Sequence, residues 1–289
     1  MREFVITTES NSDLPLEYIR ENEIGVIPHY YTVEEEMYGG DKELSISEFY
    51  EAMRAGKKVG TMASNPAVIE DMFLAYAREG KDVLHVSFSS SLSGGCGNVQ
   101  MVAGQVTKEH PEMTILVVDT LSASLGEALF IMKAVSMKKD GKSIEETAQA
   151  LQELVPNLCV QFTVDDLNHL YRGGRLSKTS AVLGTMISIK PILYVDGEGR
   201  LVALSKTRGR KKSIQTLVDN MEARVGSFRD KQIVIGIVHG DCEEDAGLLR
   251  RMVEERFGYH DFLVRPIGPS IGAHSGPGAL GLIFLGDYR

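Results

Sequence analysis

His274 has the clearest capacity for chemistry in this chain, because it lies in a stretch, residues 270–281, that contains four glycines and one proline. This composition is unfavourable for a helix or a packed strand. It predicts a loop that can bring its backbone and one imidazole close to a small ligand. The alternative is a tight connection into a last strand, in which His274 has no special role. The stretch by itself leaves both interpretations open.

Two motif matches in the same part of the chain do not fit their context. Residues 276–281 match G-x-G-x-x-G, but they precede a strand-like apolar run instead of opening a helix, and only eight residues follow them. Residues 268–272 match G-x-S-x-G, but we predict no helix after Ser270, and no acid separates that serine from His274. Neither dinucleotide binding nor serine hydrolysis is therefore expected.

A basic zone in the middle of an acidic chain is the second feature that could do chemistry. The net charge is -9, yet residues 167–217 contain only two acids and ten bases. Such a zone focuses positive potential toward an anion or an acidic partner surface. Glycines beside Arg175, Arg208 and Arg210 leave room for a guanidinium to reach an oxyanion. The alternative is that these are solvated charges, paired with acids elsewhere in the fold.

Serine and threonine side chains follow three of the predicted strands, at the edge where α/β proteins bind ligands. The segments are residues 7–15, 87–95 and 119–124. Ser93 is the best candidate, because the two glycines after it let a ligand approach a helix start whose free N–H groups favour an anion. Side chains of this kind at such turns are also ordinary helix caps. We assign Ser12, Asp13 and Ser64 to capping.

The elements that must position these groups are short β-rich runs that alternate with helical patterns. Candidate strands are residues 4–8, 24–28, 83–87, 114–118, 158–163, 190–195, 200–204, 233–239, 262–266 and 279–285. Residues 64–66 and 143–146 have the patterns of helix starts, and Gly80 and Gly141 those of helix ends. Residues 196–199, Asp-Gly-Glu-Gly, predict a hairpin, so the second half is expected to contain a mixed sheet.

Length and composition predict an α/β protein of about two domains, since 289 residues with 43% hydrophobic content can bury a large core. We predict an N-terminal α/β lobe over residues 1–157 and a C-terminal α/β lobe over residues 158–289, which carries the basic zone and the glycine-rich His loop. A cytoplasmic location is expected, because no apolar stretch approaches the ~20 residues of a membrane span and no signal peptide is recognisable. Three cysteines without a C-x-x-C pair argue against both disulfides and a zinc site.

Six segments taken together resemble the DegV family, and they occur in the same order from the first predicted strand to the last. They are residues 7–15, 89–94, 173–178, 190–193, 208–212 and 271–278. The resemblance implies two α/β lobes of the DegV type, the first with a mostly parallel sheet and the second with a mixed one, and a ligand tunnel between them. Members of that family bind a long-chain fatty acid. In many bacteria they are the acyl-binding subunit of fatty acid kinase.

For this chain, the resemblance implies a lipid-binding subunit without catalysis of its own, active in phospholipid synthesis. Its ligand would be a long-chain fatty acid, with no further cofactor and no metal. Its partner would be the separate ATP-dependent kinase subunit, to which it presents the acyl carboxylate for phosphorylation. Transient contact with a membrane surface is compatible with this role, whereas nucleic-acid binding is not expected.

The resemblance also assigns roles to individual positions. Carboxylate binding falls on Thr61, Ser93 and His274. Docking of the kinase, or contact with the phosphate, falls on Arg175, Arg208 and Arg210. Further contacts at the tunnel mouth fall on Ser10, Ser91, Gly94 and Ser275.

The chain departs from the family pattern beside these positions. The usual Thr-Ser-Gln-Pro reads Thr61-Met62-Ala63-Ser64, and the usual Thr-Tyr after Ser-Gly reads Gly95-Cys96. Glu9 stands where an aspartate is more common. These changes remove polar groups and bulk near the pocket, and they leave open which acyl chain fits and whether the ligand is a simple fatty acid.

Two other functions remain open at this point. A stand-alone enzyme would use His274 as a general base or nucleophile on a small carbonyl or acyl substrate, since the fold is related to the substrate-binding part of dihydroxyacetone kinases. Against it, the sequence has no G-x-x-x-x-G-K-[ST] loop and no partner nucleophile for the histidine. A nucleic-acid or regulatory module would use the basic zone, but interleaved aromatics and a helix-turn-helix pattern are missing.

Overall fold

The computed structural model describes residues 2–176 and 189–289, and Ser177 and Lys178 of the segment 173–178 lie outside them. The strands are β1 (Phe4–Glu9), β2 (Gly25–Ile27), β3 (Tyr31–Val33), β4 (Glu36–Tyr38), β5 (Val59–Thr61), β6 (Asp82–Ser87), β7 (Ile115–Asp119), β8 (Leu158–Thr163), β9 (Ile189–Val195), β10 (Leu201–Arg208), β11 (Ile235–His239), β12 (Phe262–Pro266) and β13 (Leu280–Leu285). The helices are α1 (Leu16–Glu21), α2 (Ile46–Arg54), α3 (Pro66–Arg78), α4 (Gly95–Glu109), α5 (Leu125–Lys139), α6 (Ile144–Leu154), α7 (Asn168–Arg172), α8 (Arg210–Val225), α9 (Glu243–Phe257) and α10 (Pro269–Ser275).

The first sheet is parallel, with strand order β2-β1-β6-β7. Side chains of β1 alternate between its two faces, as the pleat requires. Ile6 packs into the cluster that includes α5 and α6, whereas Val5 packs into the cluster of α3 and α4. Because all four strands run the same way, the loops after β1 and β6 meet at one edge of this sheet.

The second sheet is mixed, with strand order β10-β9-β8-β13-β11-β12. Only the β11 and β12 pair is parallel among these neighbours. The predicted hairpin at residues 196–199 joins β9 to β10. This confirms the predicted fold class: a parallel sheet in the first half and a mixed sheet in the second. All strands of the two sheets fall on the predicted side of residue 157, and the exact domain boundary stays a prediction.

A small antiparallel sheet, β4-β3-β5, was not expected from the sequence. Each of its strands has only three residues, too few for an alternating pattern to be recognised. It matters for function because it holds Thr61 at the end of β5, opposite Tyr31.

The prediction of a loop around His274 was wrong, because residues Pro269–Ser275 form α10 and His274 lies in its last turn. Pro269 occupies the start of this helix, where its missing N–H costs nothing. Gly272 is needed for close packing against α2: a Cβ atom there would lie 2.7 Å from the Tyr50 hydroxyl oxygen. The glycine-rich loop proper begins at Gly276, whose φ is +77°.

Helix α5 joins the two halves of the chain. It contacts β1 and β6 of the first sheet and β8, β11 and β13 of the second. Its buried residues belong to one hydrophobic cluster with strands of both sheets. The two sheets therefore share a core on the side of α5.

Candidate functional site

A cavity lies between the two sheets and contains about 1100 Å³ of space free of protein atoms, its open mouth included. Apolar side chains of the mixed sheet line its inner wall: Val160, Phe162, Val195, Leu201, Val238 and Ile283. Phe88 and Leu92, from the loop after β6, line the opposite side. A cavity of this volume with an apolar wall suits an organic ligand much larger than a single ion.

The mouth of the cavity is formed by the loops after β5 and β6. Met62, Ala63 and Gly94 are the exposed members of the described lining, and Thr61 and Ser93 beside them are half-buried. The predicted site residues Thr61, Ser93 and Gly94 therefore lie together at this opening. The two departures Met62 and Ala63 also lie there.

His274 reaches the same opening from α10, which packs against β5. Its Nε2 lies 2.9 Å from Thr61 Oγ1, a contact between residues 213 positions apart in the chain. Its Nδ1 is buried against Gly173, where a Cβ atom would lie only 2.2 Å from that nitrogen. Gly173 thus makes room for the imidazole, which explains one of the two glycines that precede Arg175.

Burial and the nearby charge of Arg175 lower the pKa of His274 to about 4. The imidazole is therefore neutral at physiological pH. A nitrogen with so low a pKa is a weak general base. In the neutral tautomer with a proton on Nε2, His274 donates to Thr61 Oγ1 and leaves the threonine hydroxyl free to donate to a ligand.

Ser93 lies two residues before the first residue of α4, and its Oγ accepts a hydrogen bond from the Gly95 N–H at 3.2 Å. The first turn of this helix contains no acidic residue, and the residues that precede it, Ser93 and Gly94, line the cavity at its mouth. A negatively charged group is stabilised at such a position. The predicted role of Ser93 at a helix start is consistent with this geometry.

Arg175 also lines the cavity, bonded to the loop that carries Ser93. Its Nε donates to the Leu92 carbonyl at 3.1 Å, and its Nη1 donates to the Gly173 carbonyl. Burial lowers the pKa of Arg175, although a guanidinium remains charged at neutral pH. These two bonds hold one positive charge beside His274.

Four other predicted site residues do not form the described cavity wall. Ser10 accepts a hydrogen bond from the His29 N–H at 2.9 Å, and Ser91 donates to the Glu198 carbonyl in the β9–β10 hairpin. Arg208 is exposed at the end of β10. Arg210 is held by Asp245 at 2.8 Å and by Asp165 at 3.6 Å. Ser275, by contrast, lines the cavity next to His274.

Sequence reasoning missed a buried polar cluster behind the mouth. His29 lines the cavity, and its Nε2 lies 3.0 Å from Ser64 Oγ.

Ser64 is not a helix cap, because Asn65 accepts the capping bond from the Ala67 N–H. Asp13 is likewise not a cap of its own helix: it accepts bonds from Ser124 and from the Gly268 N–H at the start of α10. Ser12 is buried without a capping bond.

Glu9 is fully buried beside this cluster and accepts bonds from Ser87 Oγ at 3.1 Å and from the Phe88 N–H at 3.2 Å. Burial alone would raise its pKa, but its interactions with His85 outweigh that effect and lower it. Burial and the charge of Glu9 instead raise the pKa of Glu127 well above its usual value. Glu9 is therefore the charged member of the pair, and Glu127 is protonated.

The remaining departures from the family pattern, Gly95 and Cys96, pack next to Glu9. A Cβ atom on Gly95 would lie 3.5 Å from both Ser64 Oγ and Ser93 Oγ, and 3.8 Å from Glu9 Oε1. Cys96 is buried, and this burial raises the pKa of its thiol to about 11. It is therefore an unreactive packing residue.

Within the described ranges, no group of three or more histidine, cysteine or acidic side chains could hold a metal ion. In the same part of the chain, no helix combines the length and the hydrophobicity needed to cross a bilayer.

Comparisons with known proteins agree with this architecture. The sequence model of a family described as "Uncharacterised protein, DegV family" matches residues 3–287. A DegV domain-containing protein of Clostridium perfringens is 38% identical over 291 residues, which cover 100% of this chain and 99% of the relative.

Solved structures superpose over nearly the whole chain. A DegV family protein from Thermus thermophilus, described by its fatty acid binding, has a TM-score of 0.88 and 27% identity, and the match covers 99% of this chain and 100% of that one. A DegV lipid binding protein from Thermotoga maritima has a TM-score of 0.85 and 26% identity, with 99% of each chain covered.

Proposed function

The chain belongs to the DegV family, and from this premise we propose that it binds a long-chain fatty acid in the cavity between its sheets. The acyl tail lies against the apolar wall, and the carboxylate lies at the mouth near Thr61 and Ser93. We further propose that it presents this carboxylate to a separate ATP-dependent kinase subunit. The observation that carries the proposal is the cavity itself, which is apolar inside and has Thr61, Ser93, Arg175 and His274 gathered at its opening.

The tail supplies most of the affinity in this proposal. A sixteen-carbon chain buries about fourteen methylenes, and at roughly 0.8 kcal/mol each they contribute on the order of 11 kcal/mol before ordering costs. A hydrogen bond to a charged group contributes about 1.5 to 3 kcal/mol. The polar groups at the mouth therefore orient the ligand more than they hold it.

The carboxylate is held by a short relay. His274 donates from Nε2 to Thr61 Oγ1, and Thr61 then donates its hydroxyl proton to one carboxylate oxygen. Ser93 and the free N–H groups of α4 bind the other oxygen, and Arg175 supplies the positive charge. In this arrangement His274 orients Thr61 and does not itself bind the ligand.

The position of these groups at the mouth supports the kinase-subunit role. A carboxylate held there is close to the surface, where a second protein can reach it. Arg208 is exposed and free to meet that protein, whereas Arg210 is already paired with two acids. The proposed docking surface therefore rests on Arg208 more than on Arg210.

Ligand binding is tested by organic extraction of the purified protein with mass spectrometry, followed by titration of the delipidated protein with palmitate. We expect a stoichiometric fatty acid and saturable rebinding. Absence of both results would refute the binding proposal.

The kinase role is tested by measuring acyl phosphate formation with a purified fatty acid kinase subunit and ATP. We expect Ser93→Ala to lower phosphorylation more than palmitate binding, and Ser90→Ala, an exposed serine of the same loop, to change neither. Arg208→Ala should lower phosphorylation without changing bound lipid. The control Arg251→Ala, at an exposed arginine on α9, should change neither. Equal losses of binding and phosphorylation in Ser93→Ala would contradict the proposed division of roles.

A further inference from the structure

His29 is a polar side chain in the cavity wall that the carboxylate relay does not use. It is 6% exposed and lines the cavity beside Asn11 and Phe88. Its position is fixed on several sides. The backbone N–H donates to Ser10 Oγ at 2.9 Å, Nε2 pairs with Ser64 Oγ at 3.0 Å, and the ring packs edge-on against Phe88.

Among the described residues, these two hydrogen bonds leave the other ring nitrogen of His29, Nδ1, without a protein partner. Burial lowers the pKa of His29, so the ring is neutral and one of its two nitrogens is a donor and the other an acceptor. A methylene chain packed against Nδ1 would leave that atom unpaired, which is unfavourable in a dry cavity.

His29 is close to the end of the cavity where the carboxylate is proposed to bind. Ser64 Oγ and Ser93 Oγ each lie 3.5 Å from the position of a Cβ atom on Gly95, so the two oxygens are at most twice that distance apart. His29 contacts Ser64 directly. His29 Nε2 therefore lies at most about 10 Å from Ser93 Oγ, and a ligand group that reaches the imidazole is attached on the carboxylate side of the acyl chain.

The charge behind the cluster limits what this ligand group can be. The pKa of the buried Glu9 is lowered, which leaves a carboxylate near His29. The acyl carboxylate at the mouth has Arg175 beside it. The described hydrogen-bond partners of His29, in contrast, are the uncharged Ser10 and Ser64, so a second negative charge beside the imidazole would be repelled by Glu9 without compensation. A neutral group that can both donate and accept a hydrogen bond fits either tautomer of His29, and a hydroxyl is the smallest group of this kind.

Building on the proposed fatty-acid binding, we propose that this cavity selects long-chain acids that carry a hydroxyl group at C2 or C3, and that His29, held by Ser64, recognises the hydroxyl. The substrate class is thus 2- or 3-hydroxy fatty acids. His29 is the residue that confers the specificity, while Thr61 and Ser93 bind the carboxylate common to all fatty acids.

The test is a displacement titration of a fluorescent fatty acid from the delipidated protein by palmitate, 2-hydroxypalmitate and 3-hydroxypalmitate. Stearate and 12-hydroxystearate form a second pair, in which the hydroxyl is far from the carboxylate. We expect the 2- or the 3-hydroxy acid to bind more tightly than palmitate, and 12-hydroxystearate to bind more weakly than stearate.

The variant His29→Leu replaces the imidazole with an apolar side chain of similar length. We expect it to shift the ratio of hydroxypalmitate to palmitate affinity by about tenfold toward palmitate, the change expected for one hydrogen bond to a buried group. If the variant does not fold, the ratios of the wild-type protein still decide the matter.

The outcomes separate this proposal from the proposed function. If palmitate binds and neither 2- nor 3-hydroxypalmitate binds more tightly, the hydroxyl proposal is overturned and fatty-acid binding stands. An unchanged affinity ratio in a folded His29→Leu variant also overturns it. If none of the acids displaces the probe, the binding function itself fails.

Discussion

Replacing Gly173 with alanine should displace His274 and break its contact with Thr61. A Cβ atom at residue 173 would lie 2.2 Å from His274 Nδ1, 3.1 Å from its Cε1 and 3.2 Å from the His169 carbonyl oxygen. The backbone at Gly173 has φ of -74°, which alanine adopts without strain, so the effect is confined to this steric clash. To restore ordinary contact, the ring must move by about 1 Å or more.

Such a movement exceeds the tolerance of the 2.9 Å contact between Thr61 Oγ1 and His274 Nε2. Overpacking of this kind costs about 1 to 3 kcal/mol of folding stability. Loss of the relay hydrogen bond adds about 0.5 to 1.5 kcal/mol to the free energy of ligand binding, which weakens affinity by up to about tenfold. The pKa of His274, about 4 in the buried position, should rise toward that of an exposed imidazole.

NMR titration of the histidine side chains measures this pKa directly, and a palmitate titration measures the affinity. Gly104→Ala is the matched control, because that helical glycine has nothing within 4 Å of an added Cβ atom. An unchanged His274 pKa together with unchanged affinity in Gly173→Ala would show that the imidazole does not sit against Gly173, and would refute the relay.

Three further predictions concern the ionisable groups. The pKa of His274 is lowered to about 4 from its ordinary value of 6.5. As pH drops from 6.5 to 4, the unfolded chain therefore takes up this proton before the folded protein does, and the free energy of unfolding falls. His274→Asn should reduce that fall by about 2 kcal/mol in urea unfolding. Burial raises the pKa of Asp13 to about 7, so the stability linked to its protonation is present in acid and is lost as pH rises through 7. Asp13→Asn should therefore become more stable relative to wild type as pH rises from about 5 to about 8. Parallel curves of melting temperature against pH for the two proteins would disprove this. Because Glu127 is protonated and Glu9 is charged, Glu127→Gln should lower the free energy of unfolding in urea by less than about 1 kcal/mol, and Glu9→Gln should lower it by more than about 2 kcal/mol. The reverse order would show that the charge resides on Glu127.

The strands of both main sheets could be predicted from the sequence because each is a compact apolar run bounded by turn residues. The predicted bounds at 158–163 and 262–266 match β8 and β12 residue for residue. The capping box at Ser143 and the hairpin at 196–199 were also confirmed, since both depend only on local chemistry. Elements of this kind are visible in one sequence because their stabilising contacts are near neighbours.

Helix α10 could not be predicted, because the reason for its glycine lies outside its own sequence. Gly272 is small so that α10 can approach Tyr50 and Phe49 of α2, and the composition that this packing requires is the same one that a loop requires. The prediction that Ser64 caps α3 was wrong by one residue. Ser64 and Asn65 both suit a helix cap, but Pro66 occupies the first helical position and leaves that role to Asn65.

The candidate site shows the same division between local and long-range information. Ser93 could be proposed from its own neighbours, because a serine before two glycines at a predicted helix start suits an anion. The contact between Thr61 and His274 joins a three-residue strand to a short helix more than two hundred residues later, and the resemblance to a family supplied that pairing.

The three departures from the family pattern looked unrelated in the sequence, and the fold brings them together. Glu9, Ser64 and Gly95 come from three different loops or strand ends, yet the oxygens of the first two both lie within 3.8 Å of a Cβ position on the third. His29 completes the group through Ser64. None of these three residues lines the cavity itself, but Ser64 positions His29, which does. They therefore bear on the choice of ligand through His29. Binding to hydroxylated acids is therefore the property in which this chain is expected to differ from relatives that keep the usual residues.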